Sequence, residues 1–248
     1  VKLNKLSRKP TSTNKNTKIA INLHNHTVLS DGKYSPEQII EEAIRCGLTH
    51  VGISDHYATL KISAIPYDEL KPYIKHIHSL AERYDDKIKV LTGVEIDSCK
   101  ERTDFSKIDF GLLGNLDYVL FEYVQDDLWR GMPLWELLEM RKDIDCLIGL
   151  AHNDIGKNFA GVGMEALIRV LRIDDVFVEL CTSMRHSKFS KPYYHYCPNF
   201  FDKLKESRVM ISIGTDTHDR LEDVSNISDA VKFIRRLKLE NNLISKLF

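Results

Sequence analysis

Seven short apolar runs, six of them closely followed by ionisable residues and each separated from the next by a stretch of different periodicity, leave this chain few folds to choose from. Residues 19–23, 51–54, 88–94, 118–121, 146–151, 176–180 and 209–213 read as strands. Helical patterns stand between them. Ser35-Pro36-Glu37-Gln38 is a helix start, with Ser at N-cap, Pro at N1 and Gln at N3, and Gly47 sits where that helix should stop. Residues 67–84 place Leu70, Tyr73, Ile74, Ile77, Leu80 and Ala81 at helical spacing. Further helices are expected from Pro133 through Arg141, over 165–171, over 199–206, and around Ile227, Ala230, Val231, Ile234 and Leu237. Strands alternating with helices specify an α/β fold of parallel strands joined by right-handed crossovers. The repeat length suits βα units closing into a barrel, whose chemistry sits at the C-terminal ends of its strands.

The strand ends are where the unusual residues lie. His24 and His26 leave the first strand, and side chains two apart on a strand share a face, close enough to hold one metal ion. The Asp31-Gly32 turn returns a carboxylate towards them. His76 and His78 have the same spacing, but in a helical pattern, where two residues turn through about 200° and the rings point apart. These two and His50 read as structural or surface residues. His56, Glu95, Glu122, His152, Asp216 and His218 fall at later strand ends, so five of the ten histidines gather at one mouth. Ionisable groups are costly to bury, and a purely structural protein has no use for such a gathering. Imidazoles and carboxylates without a thiolate suit Zn²⁺, Mn²⁺ or Fe²⁺. The set exceeds what one ion can use, which implies two or three ions, with Glu95 able to bridge two. Such a site activates water near neutral pH and clamps the oxygens of a phosphate. Hydrolysis of a phosphate ester is the leading chemistry, and amide hydrolysis can use the same groups.

His24-x-His26-Thr27, Ser30-Asp31-Gly32, Ser54-Asp55-His56, Gly93-x-Glu95 and Asp216-Thr217-His218 together resemble the motifs of the PHP (polymerase and histidinol phosphatase) family. The resemblance runs from Ile19 to the C-terminal helix. It implies a distorted (β/α)7, TIM-like barrel with up to three metal ions at its mouth. It implies that His24, His26, Glu95 and Asp216 hold a first ion, Glu95 and His152 a second, and Asp31, His56 and His218 a third. One position departs from the pattern: Glu122 stands after the fourth strand where the family commonly has a histidine. It reads either as a replacement ligand or as a salt-bridged carboxylate. Histidinol phosphatases carry an arginine for the phosphate near the sixth strand. Arg185 is the candidate here, since a guanidinium grips phosphate oxygens bidentately, and Lys157 is a second one. Asp154 and His186 are candidates for passing a proton to the leaving group.

The remaining features bound the reading. A net charge of -1 over 248 residues offers no bulk attraction to nucleic acid or a membrane surface. Five cysteines without C-x-x-C spacing suggest free thiols in a reducing compartment, and with no apolar leader the expected location is cytoplasmic. Residues 1–18 read as a basic tail and 19–248 as one domain. The loops at 57–66 and 125–132 are expected to act as lids. A hydrolase of a small phosphorylated substrate is therefore favoured. A nuclease or nucleotide phosphodiesterase and a non-catalytic RNA- or protein-binding scaffold are the alternatives.

Overall fold

The computed structural model describes residues 19–248; the expected basic tail lies outside the described residues. Seven strands form the frame: β1 (Ile21–Asn22), β2 (His50–Ile53), β3 (Lys89–Asp97), β4 (Tyr118–Glu122), β5 (Leu147–Ala151), β6 (Val176–Cys181) and β7 (Ile211–Gly214). They pair in chain order, all parallel. The Leu23 N–H donates to the Ile213 carbonyl at 2.8 Å and the His26 N–H to the Thr217 carbonyl at 2.9 Å. Those two bonds draw the first strand to the last, and the sheet becomes a nearly closed, distorted TIM-like barrel.

Around it lie α1 (Pro36–Arg45), α2 (Leu70–Tyr84), α3 (Phe110–Leu113), α4 (Leu134–Arg141), α5 (Ile155–Asn158), α6 (Met164–Ile173), α7 (Pro198–Leu204) and α8 (Ser228–Leu237). The start of α1 is the capping box its sequence specifies. Ser35 Oγ accepts from the Gln38 N–H at 3.3 Å, and Gln38 Oε1 accepts from the Ser35 N–H at 2.9 Å. Gly47 takes φ 73°, which a residue with a Cβ resists. The barrel interior is filled by large side chains opposite small ones. Tyr118 is register partner to Gly93, where an added Cβ would run into its ring. Its hydroxyl crosses the barrel to donate to the Leu23 carbonyl at 2.6 Å.

Three elements differ from expectation. Strand β3 does not stop before Glu95 but runs on through Asp97. The reason is a short strand, His56–Tyr57, which pairs with Glu95 and Ile96 and extends the ladder. Helices α3 and α5 are single turns with no apolar periodicity to announce them; each is started by an aspartate, Asp109 and Asp154, accepting from the backbone.

Candidate metal centre

The expected ligand residues converge at the C-terminal mouth of the barrel. His24 Nε2 and His26 Nε2 lie 3.0 Å apart. Glu95 Oε2 is 3.3 Å from each of them, and Asp216 Oδ1 is 3.6 Å from His24 and 3.3 Å from His26. His152 Nε2 approaches Glu95 Oε1 at 3.0 Å. On the other side, Asp31 Oδ1 faces His218 Nε2 at 3.2 Å, His26 Nδ1 at 3.7 Å and His56 Nε2 at 3.8 Å. All these side chains are buried except Asp31, which is partly exposed. Among the described residues four overlapping groups bring one ligand atom each within 4.8 Å of one another: His26-Asp31-His56-His218, His24-His26-Asp216, His24-Glu95-His152 and His56-Glu95-Glu122.

A cluster of this kind needs cations. Glu179, on β6, accepts from His24 Nδ1 at 2.7 Å and from the His152 backbone N–H at 2.6 Å. A carboxylate only accepts, so the proton of the neutral His24 ring sits on Nδ1 and its Nε2 lone pair points inward. His26 Nδ1, His56 Nδ1 and Glu95 Oε2 are buried without a hydrogen-bond partner. Inward lone pairs and orphaned acceptors at these separations repel unless protons or metal ions lie among them, so the residues fit divalent cations. Without metal, protons take that place. Burial alone would lower both rings, but the Glu179 and Glu95 charges hold His24 well above the usual histidine range. The Asp216 and Glu95 carboxylates do the same to His26, which is pushed up to about 9. Strained backbone accompanies the ligands: His152 and Asp216 take φ 31° and 51°, as a surrounding structure can enforce at a functional site.

Comparison with known proteins places the chain in a family. The PHP domain model matches residues 22–181. The chain belongs to the PHP domain family. A DNA polymerase/3'-5' exonuclease PolX from Bacillus subtilis is 31% identical over 221 residues, 86% of this chain but only 36% of that protein, so the chain spans about a third of its relative. A histidinol phosphate phosphatase from Lactococcus lactis, solved with Zn, L-histidinol and phosphate, superposes with a TM-score of 0.60 at 18% identity, over 88% of this chain and 93% of that one. A putative histidinol phosphatase from Listeria monocytogenes gives 0.57 at 14%, over 84% and 99%.

Besides Glu179, a second buried carboxylate supports the ligands of the PHP domain from outside. Asp55 accepts from the Thr27 N–H at 2.7 Å, Thr27 Oγ1 at 2.9 Å and Ser30 Oγ at 2.6 Å, fixing the turn that carries Asp31. Burial still keeps its carboxyl above the ordinary range. Glu122 is a salt-bridged carboxylate that also stands beside two of the candidate ligand rings. Its Oε2 lies 3.8 Å from His152 Nε2, and its Oε1 lies 3.9 Å from His56 Nδ1 and 2.5 Å from Lys61 Nζ. Burial and the neighbouring Glu95 charge push it up to about 8 despite that lysine.

Of the residues expected to serve substrate, His186 joins the cluster. Its ring stacks on His152 at 3.6 Å between centroids, and its Nε2 is 3.1 Å from Asp216 Oδ2. The other three are tied to partners on the surrounding loops. Asp154 caps α5 and pairs with Lys188 at 2.6 Å, Lys157 stands 3.4 Å from Asp126, and Arg185 is ion-paired to Asp219. The loops expected as lids meet at one residue: Lys61 lies over the Tyr123 ring at 4.7 Å, and Trp129 stacks on it at 4.8 Å. His78 is exposed on α2, as its helical setting foretold. Glu179 is the functional residue the sequence reading passed over. Its one signal was a lone acid inside the apolar run Val176-Phe177-Val178-Glu179-Leu180.

Proposed function

We propose that this PHP domain hydrolyses phosphate monoesters of small molecules, with L-histidinol phosphate the first substrate to try. The observation that carries the reading is the set of inward ring nitrogens and carboxylates at the barrel mouth, which suits divalent Zn, Mn or Fe. Bound there, such ions supply Lewis acidity and a nucleophile from water at neutral pH. In this reading His24, His26, Glu95 and Asp216 hold one ion, and Asp31, His56 and His218 another. Glu95 and His152, flanked by Glu122, form the remaining set. His186, anchored between His152 and Asp216, is positioned to give a proton to the leaving oxygen, with Asp154 as the second candidate. Arg185 exchanges Asp219 for the phosphate as substrate enters, and Lys157 exchanges Asp126.

The loop charges support a small substrate. Lys61, Lys157, Arg185 and Lys188 each face an acid, Glu122, Asp126, Asp219 and Asp154, rather than forming a row of free cations for a nucleic-acid backbone. One observation favours a second reading: the 31% identity to PolX fits removal of nucleotides from a strand end. The two part in a direct assay. Protein loaded with Zn²⁺ or Mn²⁺ is given L-histidinol phosphate, p-nitrophenyl phosphate, bis-p-nitrophenyl phosphate and single-stranded DNA. Phosphate release from the monoesters, lost by about 10²–10³-fold in H24N and E95Q as expected when a charge-stabilising group is removed, supports the proposal. Cleavage of DNA with inert monoesters establishes the second reading instead.

A further inference from the structure

Lys61 is built into the centre with more care than a rim lysine needs. Its loop is pinned at both ends: the Ala58 N–H donates to the Ile65 carbonyl at 2.9 Å, and the Ile65 N–H to the His56 carbonyl at 2.8 Å. Between them the Leu60 N–H donates to the Arg102 carbonyl at 2.8 Å, and the Lys61 N–H to Thr59 Oγ1 at 3.1 Å. The side chain, 19% exposed, is thereby aimed inward at Glu122, itself 2% exposed. The ammonium lies 2.5 Å from Glu122 Oε1 and 3.1 Å from Tyr123 Oη, and over the Tyr123 ring. Three attractive partners hold one positive charge where the chain also departs from the family's usual histidine.

An ammonium and a divalent ion repel, and in a buried site that repulsion is weakly screened. With one Glu122 oxygen taken by Lys61, Glu95 and His152 can complete a set only by sharing His24 with the His24-His26-Asp216 group, whereas that group and Asp31-His56-His218 involve no lysine. We propose that Lys61 is a tethered cation standing in for one metal ion, so that this centre holds two divalent ions rather than three. The inference rests on the reading of these residues as metal ligands.

Metal content tests it without recourse to activity. Protein is stripped with a chelator, reloaded with excess Mn²⁺ or Zn²⁺, freed of unbound ion by gel filtration, and its metal per chain measured by plasma mass spectrometry. The wild type and K61R retain two ions. K61M, which returns Glu122 to Glu95, His56 and His152, retains three. E122H removes the lysine's counter-charge and supplies a neutral ring, and it also retains three, which keeps the test intact should K61M not fold. Three ions in the wild type overturn the role of Lys61 and leave the metal centre standing. So do two ions in folded K61M or E122H, judged by circular dichroism. A wild type that retains no ion overturns the metal centre itself, and this inference with it.

Discussion

At the scale of single residues, Glu179 shows how little of a metal site is its ligands. It touches no ion position, yet it fixes the tautomer of His24 and holds the backbone of His152. Outer carboxylates of this kind are worth about 10–100-fold in metal affinity. E179A is therefore expected to weaken ion binding by about that factor, read by competition with a chromophoric chelator, while E179Q, which keeps an acceptor oxygen, loses less. An unchanged affinity in E179A would show the ring orientation to be set elsewhere. The candidate ligands were legible in the sequence because His-x-His and the strand-end acids follow from strand periodicity, while their grouping around ions came from the resemblance to the PHP motifs. Glu179 was not, because an acid within a strand reveals its purpose only when another strand's histidine is seen beside it. Arg185 and Lys157 show the converse: residue type suggested phosphate contacts, but type says nothing of Asp219 and Asp126, which hold them here.

At the scale of elements, apolar periodicity named all seven strands and the longer helices, and capping chemistry fixed the start of α1. It failed where tertiary pairing decides. The extension of β3 past Glu95 depends on His56–Tyr57 lying alongside, and no local pattern encodes that. Tyr118 is the side chain on which the strands most visibly depend. It lies against Gly93, fills space that Gly93 leaves open, and reaches the Leu23 carbonyl immediately before the His24 ligand. Y118A should cost about 3–5 kcal/mol in denaturant unfolding, as large-to-small changes at buried aromatics do. It should also lower metal affinity, because Leu23 loses its anchor. Y118F, which keeps the ring and strands only that carbonyl, should cost about 1–3 kcal/mol. Equal costs for the two would mean that the hydroxyl, not the ring, supports the barrel.

At the scale of the whole molecule, the metal centre couples folding to pH and to ions. His24 and His26 bind protons more tightly in the metal-free folded state than in the unfolded chain, His26 being pushed up to about 9. Groups raised in this way add stability that is complete below the unfolded value near 6.5 and is lost as pH rises through the folded one. Glu122, pushed up to about 8, has the same sign, its contribution fading from its unfolded value near 4.5 upward. The metal-free protein should thus melt at a lower temperature at pH 9 than at pH 6.5. Added Zn²⁺ or Mn²⁺ should raise the melting temperature at both, and by more at pH 9, where fewer protons compete. At free ion about 100 times Kd the gain is about 2.7 kcal/mol per site, several degrees for a domain of this size. Differential scanning fluorimetry with and without chelator checks this, and a metal-free melting point that climbs between pH 6.5 and 9 would contradict it.

The two oxygens of Glu179 make a caliper. One grips the ring that rises from β1, the other the chain that leaves β5, and the glycine at 214 leaves just enough room for the jaws. The distance of those two residues from β6 is thus set by the length of one side chain. E179D, one methylene shorter, must either let go of the His24 ring or the His152 N–H or draw both histidines towards β6, so a change of a single carbon there retunes the whole mouth without touching any candidate ligand group.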